Sequence, residues 1–148
     1  MGKINYNPED LIDHYGIGAV IKNNKGQILL QEHVKFGFWT IPVGKVLKTQ
    51  TIEEGLKQEL LEECDINIHN FKNITNKNFK YNRNGKEVNV YCYIFSIENY
   101  SGELKNKEPH KHKTQKFMDI GTIKNLPYLS DLTLLYLETL GIKREAKI

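Results

Sequence analysis

Apolar residues alternate with small or polar residues over two short segments near the beginning of the chain. The pattern predicts strands over 16–22 and 27–31, joined by a turn over 23–26, and therefore a β-hairpin. Another short strand is predicted over 38–42. Pro42 has no amide hydrogen to donate, so this strand should lie at a sheet edge or stop at the proline.

Two helices are predicted from apolar spacing and from the residues that mark helix ends. Thr51 and Glu54 match a capping box, in which Thr51 bonds the backbone three residues on and Glu54 bonds back. This helix should cover about 52–64. A closing helix is predicted over 130–140, where Gly141 would end it.

The remaining apolar segments complete a mixed architecture. They predict strands over 66–74, 79–83, 88–97 and 116–120, with Asn84-Gly85 as a tight turn between the second and third of these. The order of elements predicts an α/β (α+β) fold with a mixed, hairpin-rich β-sheet.

Length and composition suit one compact domain over 1–148, with a core from about 16 to 140. The chain has 148 residues, 39% of them hydrophobic. No stretch approaches the roughly 20 apolar residues of a membrane helix, and the first residues lack the apolar core of a signal peptide. We expect a cytoplasmic protein with no membrane partner. Cys64 and Cys92 are too few for a disulfide scaffold, so both should be buried and reduced.

The charge balance is mildly basic and does not identify a partner. The net charge is +3, and no run of five or six like charges marks a nucleic-acid arm. Nucleic acid is therefore not expected, although a small nucleic-acid-binding domain is one alternative. Because 19 of the 21 basic residues are lysines, planar arginine forks are scarce. Any phosphate should be handled by metal, lysine and backbone groups.

Three carboxylates share one face of the helix predicted over 52–64. Glu59, Glu62 and Glu63 fall within an arc of about 100° on a helical wheel. Glu63 also projects towards the apolar stripe of Ile52 and Leu56, and a buried carboxylate must be paired, hydrogen-bonded or bound to metal. Two interpretations stay open: a solvated acidic face, or an oxygen site for Mg²⁺ or Mn²⁺.

The segment 39–46 leads through a loop into this helix, and the combined sequence resembles the Nudix hydrolase family. The family's box reads G-x5-E-x7-R-E-U-x-E-E-x-G-U, where U is bulky and aliphatic. Counted from Gly44, six of its nine defined positions match; these are Gly44, Glu59, Leu60, Glu62, Glu63 and Ile66. The resemblance covers about 16–140 and implies a Nudix-type α/β/α sandwich.

Three positions depart from the box: Gln50 stands for its first Glu, Gln58 for its Arg and Asp65 for its second Gly. In the family, that Glu and Arg are described as an ion pair that fastens the loop to the helix. Replacing one partner alone would leave a partly buried charge unpaired, which lowers stability. Replacing both partners can leave stability nearly unchanged, and two amides can hydrogen-bond each other. We therefore expect a paired replacement that keeps the scaffold. Asp65 is a milder change because Asp tolerates left-handed backbone conformations.

The resemblance implies hydrolysis of a nucleoside diphosphate linked to another moiety, by attack of metal-activated water on phosphorus. It implies Mg²⁺ or Mn²⁺ as the cofactor and a nucleotide or nucleotide derivative as the substrate. Metal ligands would come from Glu59, Glu62, Glu63 and the Gly44 carbonyl, and Glu59 or Glu62 would accept the proton. The candidate substrate-binding residues are Lys45, Phe38, Glu108, His110 and His112.

Other interpretations of these residues remain. His110 and His112 also fit a solvated loop rich in lysine and histidine. Gln50 and Gln58 favour, as an alternative function, a Nudix-fold protein that binds a nucleotide with little or no turnover. We expect a monomer or a homodimer.

Overall fold

The computed structural model describes residues 6–143, in which a 3₁₀ turn over Pro8–Leu11 precedes seven strands and three helices. Within this part of the chain no helix is both long and apolar enough to cross a membrane. The strands are β1 (His14–Val20), β2 (Ile28–His33), β3 (Trp39–Thr40), β4 (Val43–Val46), β5 (Asn67–Arg83), β6 (Lys86–Ser101) and β7 (His112–Met118). The helices are α1 (Ile52–Cys64), α2 (Ile120–Ile123) and α3 (Asp131–Thr139).

The strands form two sheets. One has the order β4-β1-β6-β5, with β1 parallel to β6 and the other neighbours antiparallel. The second has the order β3-β2-β7 and is antiparallel throughout. The predicted mixture of parallel and hairpin pairing is confirmed, although the strands are divided between two sheets.

The first predicted hairpin is present only at its turn. Lys22 and Ile28 form an antiparallel bridge, and the Leu29 amide donates to the Ile21 carbonyl at 2.9 Å. Beyond this point β1 and β2 separate, because β4 and β6 already occupy both edges of β1. The main chain of β2 pairs instead with β3 and β7.

The predicted strands over 66–74 and 79–83 are one continuous strand, β5. It pairs with β6 from Asn67 opposite Ser101 to Arg83 opposite Lys86, with irregular register between Ile68 and Thr75. The Asn84-Gly85 turn is confirmed, with φ of 55° and 82° respectively. Strand β7 begins at His112 rather than Lys116, which brings His112 into the sheet.

Helices cover both faces of the strand layer. Neighbouring side chains along β2 point to opposite faces, so Leu29 enters one core while Ile28 and Leu30 enter the other. Helix α1 closes the first core; its core residues are Leu56, Leu60 and Cys64. Helices α2 and α3 close the second through Ile123, Leu135, Tyr136 and Leu137. This is the α/β/α arrangement that the family resemblance implies, and Cys64 and Cys92 are buried and free as predicted.

Candidate active site

Helix α1 is fixed at both ends, which sets the positions of Glu59, Glu62 and Glu63 along it. The Thr51 hydroxyl oxygen accepts from the Glu54 amide at 3.1 Å. The Glu54 carboxylate accepts from the Thr51 hydroxyl at 2.8 Å, not from the backbone amide that a full capping box predicts. At the other end Asp65 adopts a left-handed conformation with φ of 62°, and its amide donates to the Leu61 carbonyl.

The two glutamines that replace the family ion pair are hydrogen-bonded, as predicted. Gln50 Nε2 donates to Gln58 Oε1 at 2.8 Å, and Gln58 Nε2 donates to Glu62 Oε1 at 2.9 Å. Gln58 is exposed, so a charge at this position would be solvated. The paired replacement was expected because a single charge left at one of the two positions would be partly buried and unpaired. That reason does not apply to Gln58, which is exposed.

Gly44 and Glu59, the first residue of the box and its first matching carboxylate, are in direct contact. A methyl group on Gly44 would lie 2.6 Å from Glu59 Cδ and 2.7 Å from Glu59 Oε2. No residue larger than glycine fits there unless the Glu59 side chain moves. The close approach places Glu59 against the main chain of β4.

Glu59 and Glu63 form a carboxyl pair at the base of a cavity. Their side chains share a hydrogen bond, and Glu63 is only 3% exposed, which confirms that it turns towards the core. Burial raises the pKa of Glu59 above its ordinary value. Burial, together with the hydrogen bond to Glu59 and its charge, raises the pKa of Glu63 further. Glu62 is exposed and does not line the cavity.

His112 and Glu108 lie close to Glu63. His112 Nε2 lies 3.7 Å from Glu63 Oε1, and one ligand atom from each of Glu63, Glu108 and His112 lies within 4.8 Å of the others. Burial and the neighbouring His33 lower the pKa of His112 to about 4. The imidazole is therefore neutral at pH 7, so its contact with Glu63 is not an ion pair despite the short distance.

The cavity has a volume of about 720 Å³ and joins this cluster to a group of aromatic side chains. The ring centroids of His33 and Phe36 are 4.8 Å apart, and Phe36 stacks on Phe38 at 5.4 Å. Phe38 thus lies where a flat substrate group could reach it. Trp39 packs instead against the core beside α3.

A third part of the cavity wall is built around Arg83. Its guanidinium lies over the rings of Tyr6 and Tyr81, at 5.2 and 4.8 Å, and donates to the Asp10 carbonyl at 2.8 Å. Lys45 also lines the cavity, but its ammonium is 2.6 Å from the Asp10 carboxylate. A phosphate would have to compete with Asp10 for Lys45.

The fold brings most of the predicted site residues to this one cavity. Those that line it are Phe38, Gly44, Lys45, Glu59, Glu63, Glu108, His110 and His112; Glu62 is the exception. The sequence did not identify His33 and Arg83 as residues of the cavity. Both reach it because their strands pair with strands that are distant in the sequence or with strands that are part of a larger sheet. The one available signal for Arg83 was its rarity, because it is one of two arginines in the chain.

Comparison with known proteins shows the family and the fold to which the chain is similar. The NUDIX domain model matches residues 13–133. The 8-oxo-dGTP diphosphatase of Buchnera aphidicola subsp. Schizaphis graminum is 29% identical over 99 residues, which cover 66% of this chain and 72% of that protein. The crystal structure of a MutT NUDIX hydrolase from Burkholderia pseudomallei is 26% identical with a TM-score of 0.70, covering 86% of this chain and 98% of that one.

A C. elegans Ap4A hydrolase, solved as a binary complex, shares the fold at 18% identity and a TM-score of 0.62, over 86% of this chain and 95% of that one. The fold is therefore shared with a hydrolase whose name gives a different substrate from the name of the Buchnera relative. The family match spans most of the chain, and two of the three carboxylates of the box, Glu59 and Glu63, line the cavity. The chain belongs to the Nudix hydrolase family, as a pyrophosphohydrolase of nucleotides.

Proposed function

We propose that the chain hydrolyses the phosphate anhydride of a nucleoside triphosphate with the help of Mg²⁺ or Mn²⁺. The observation that carries the proposal is the buried contact between Glu59 and Glu63. Two carboxylates so close together cannot both ionise unless a cation compensates them. Glu63 Oε1 also makes no hydrogen bond to any described residue. Buried carboxylate oxygens without donors suit a hard divalent cation.

Glu59, Glu63 and the main-chain carbonyl of Gly44 would hold the cation. Bound there, it would neutralise charge on the diphosphate and lower the pKa of a coordinated water. Glu59 lines the cavity and can accept a proton from an attacking water. Glu62 is bonded to Gln58 on the outer side of α1, so we assign it to the support of the loop before the helix.

The rest of the cavity supports a nucleotide as the bound molecule. Its volume lies within the range of about 300–1,000 Å³ that is usual for small-molecule sites. Phe36 and Phe38 offer ring faces on which a base can stack. The name of the Buchnera relative makes 8-oxo-dGTP the first triphosphate to test.

The test is turnover of a nucleotide panel by the purified chain. The panel contains 8-oxo-dGTP, dGTP, a dinucleoside tetraphosphate and a nucleotide sugar, each with Mg²⁺, Mn²⁺ or a chelator, and products are separated by chromatography. We expect nucleoside monophosphate and pyrophosphate from a triphosphate with metal and no product with chelator. Binding of these nucleotides without product under either metal would contradict the proposal.

A matched pair of variants tests the assignment of Glu63. Glu63→Gln should lower kcat/KM by about 100-fold or more, because loss of a ligand should cost at least as much as loss of a group that supports one. Glu53→Gln makes the same chemical change on the exposed side of the same helix, where Glu53 contacts Lys57. It should keep wild-type turnover. If Glu63→Gln and Glu53→Gln had equal kcat/KM values, the assignment of Glu63 as a metal ligand would be wrong.

A further inference from the structure

His112 is a buried histidine whose ring nitrogens make no hydrogen bond to the surrounding described residues. The side chain is 3% exposed, and its Nδ1 has no hydrogen-bond partner among the described residues. Its Nε2 is 3.7 Å from Glu63 Oε1, an atom that likewise has no partner, and this distance is too long for a hydrogen bond. Two unsatisfied buried side chains thus face each other, which costs stability unless something binds between them.

The third member of the cluster is Glu108, which approaches from the loop before β7. Its carboxylate contacts Lys111 at 3.4 Å and stays within ligand range of Glu63 and His112. One imidazole and two carboxylates converging within 4.8 Å form a donor set suited to one divalent ion. The two buried residues of this cluster, Glu63 and His112, each have a polar atom without a hydrogen-bond partner. This observation, in addition to the acidic residues, indicates a site for a ligand.

We propose that His112 is a direct metal ligand, so that the cation lies in a mixed nitrogen–oxygen site with Glu63 and Glu108. The inference rests on the proposed function, since it concerns the same ion, and it adds Glu108 and the imidazole nitrogen of His112 to the ligands proposed above. Imidazole nitrogen binds Mn²⁺, Co²⁺ or Zn²⁺ more readily than Mg²⁺, which prefers oxygen ligands. The site should therefore favour a transition-metal ion over Mg²⁺ more strongly than carboxylates alone would.

Neighbouring groups fit this role for His112. The ring of His33 meets the ring of His112 edge to face, with centroids 5.6 Å apart, and limits its rotation. Asn106 donates to the His112 carbonyl at 2.7 Å and so holds the main chain at this position.

The experiment is pulsed electron paramagnetic resonance of the full chain loaded with Mn²⁺. We expect modulations from a directly bound ¹⁴N in the wild type, replaced by ¹⁵N modulations when only histidine is labelled with ¹⁵N. This comparison needs no mutation, so it does not depend on a variant that folds. Mn²⁺ bound without any histidine nitrogen would overturn the proposal.

Variants then identify the histidine. His112→Asn should abolish the nitrogen signal, whereas His69→Asn should keep it, because His69 is exposed, hydrogen-bonded to Ser101 and not among the residues that line the cavity. His112→Asp supplies an oxygen ligand instead and should lower the ratio of Co²⁺ to Mg²⁺ affinity about tenfold or more, measured by calorimetry. Retention of the nitrogen signal in His112→Asn would overturn the assignment.

The outcome separates this inference from the proposed function. Metal-dependent hydrolysis with Mn²⁺ bound only through oxygen leaves the proposed function standing and overturns the role of His112. Absence of both Mn²⁺ binding and hydrolysis overturns both.

Discussion

Glu59 and Glu62 belong to the same acidic face of α1 but have different surroundings. Glu59 is partly buried, contacts Gly44 and Glu63 and lines the cavity, whereas Glu62 is exposed and accepts a hydrogen bond from Gln58. A helical wheel places them together because it records only direction around the axis. The strand that packs beside Glu59 determines which of the two lines the cavity.

This difference predicts unequal losses from the same substitution. Glu59→Gln should lower kcat/KM by at least about 100-fold, because it removes a charge that holds the cation or accepts the proton. Glu62→Gln should cost less than about tenfold, because an amide oxygen still accepts from Gln58. Steady-state kinetics with one triphosphate measures both. Equal losses would mean that Glu62 also reaches the reacting atoms.

Residue-scale prediction succeeded where the information was local. The burial of Glu63 follows from its angle relative to Ile52 and Leu56, which are on the same helix. The proximity of His112 to Glu63 cannot be predicted in this way. It depends on the pairing of β7 with β2 and on the packing of α1 against the other sheet. Apolar periodicity carries no information about contacts between such elements.

Between elements, the close packing of α1 on β4 depends on Gly55. A methyl group on Gly55 would lie 2.8 Å from Val46 Cγ1 and closer still to Val46 Cγ2, and Val46 is fully buried. Glycine inside a helix costs about 1 kcal/mol relative to alanine. Here the absence of a side chain lets α1 approach the strand that carries Gly44.

We expect Gly55→Ala to destabilise the wild type and to stabilise a Val46→Ala background. Overpacking costs about 1–3 kcal/mol, which exceeds the gain in helix propensity, whereas the smaller residue at 46 removes the clash. Urea unfolding of the wild type, both single variants and the double variant measures the coupling free energy.

Gly121→Ala is the matched control for this cycle. A methyl group on Gly121 in α2 meets nothing within 4 Å, so this change should be neutral or slightly stabilising. If Gly55→Ala had the same effect in both backgrounds, contact with Val46 would not be what requires glycine.

Element-scale prediction failed where local composition opposed the observed structure. Residues 75–78 are mostly Asn and Lys, which are poor strand formers, and so the sequence predicts a break there. The segment is a strand because the more apolar β6 lies alongside it, with Thr75 opposite Ile94 and Lys77 opposite Cys92. By contrast, α1 and the Asn84-Gly85 turn carry their own end signals, and both are where the sequence places them.

At the scale of the whole molecule, the two cores are joined through the strands they share. In β2, Leu29 enters the core under α1 while Leu30 enters the core under α3. In β1, Ala19 lies in the core under α1 and Val20 lies in the core under α3. Unfolding either core exposes one face of the strands on which the other core is built. The described residues should therefore lose structure together.

This connection predicts a single cooperative transition that can be followed from either core. Leu56 and Leu137 are buried on opposite faces, and truncating each to alanine should cost about 2–5 kcal/mol. Trp39, the chain's single tryptophan, packs against the core under α3, so its fluorescence reports on that side. Leu56→Ala changes the opposite core, yet it should shift the Trp39 fluorescence transition and the circular dichroism transition to the same lower urea concentration. A Trp39 transition unmoved by Leu56→Ala would mean that the two faces unfold independently.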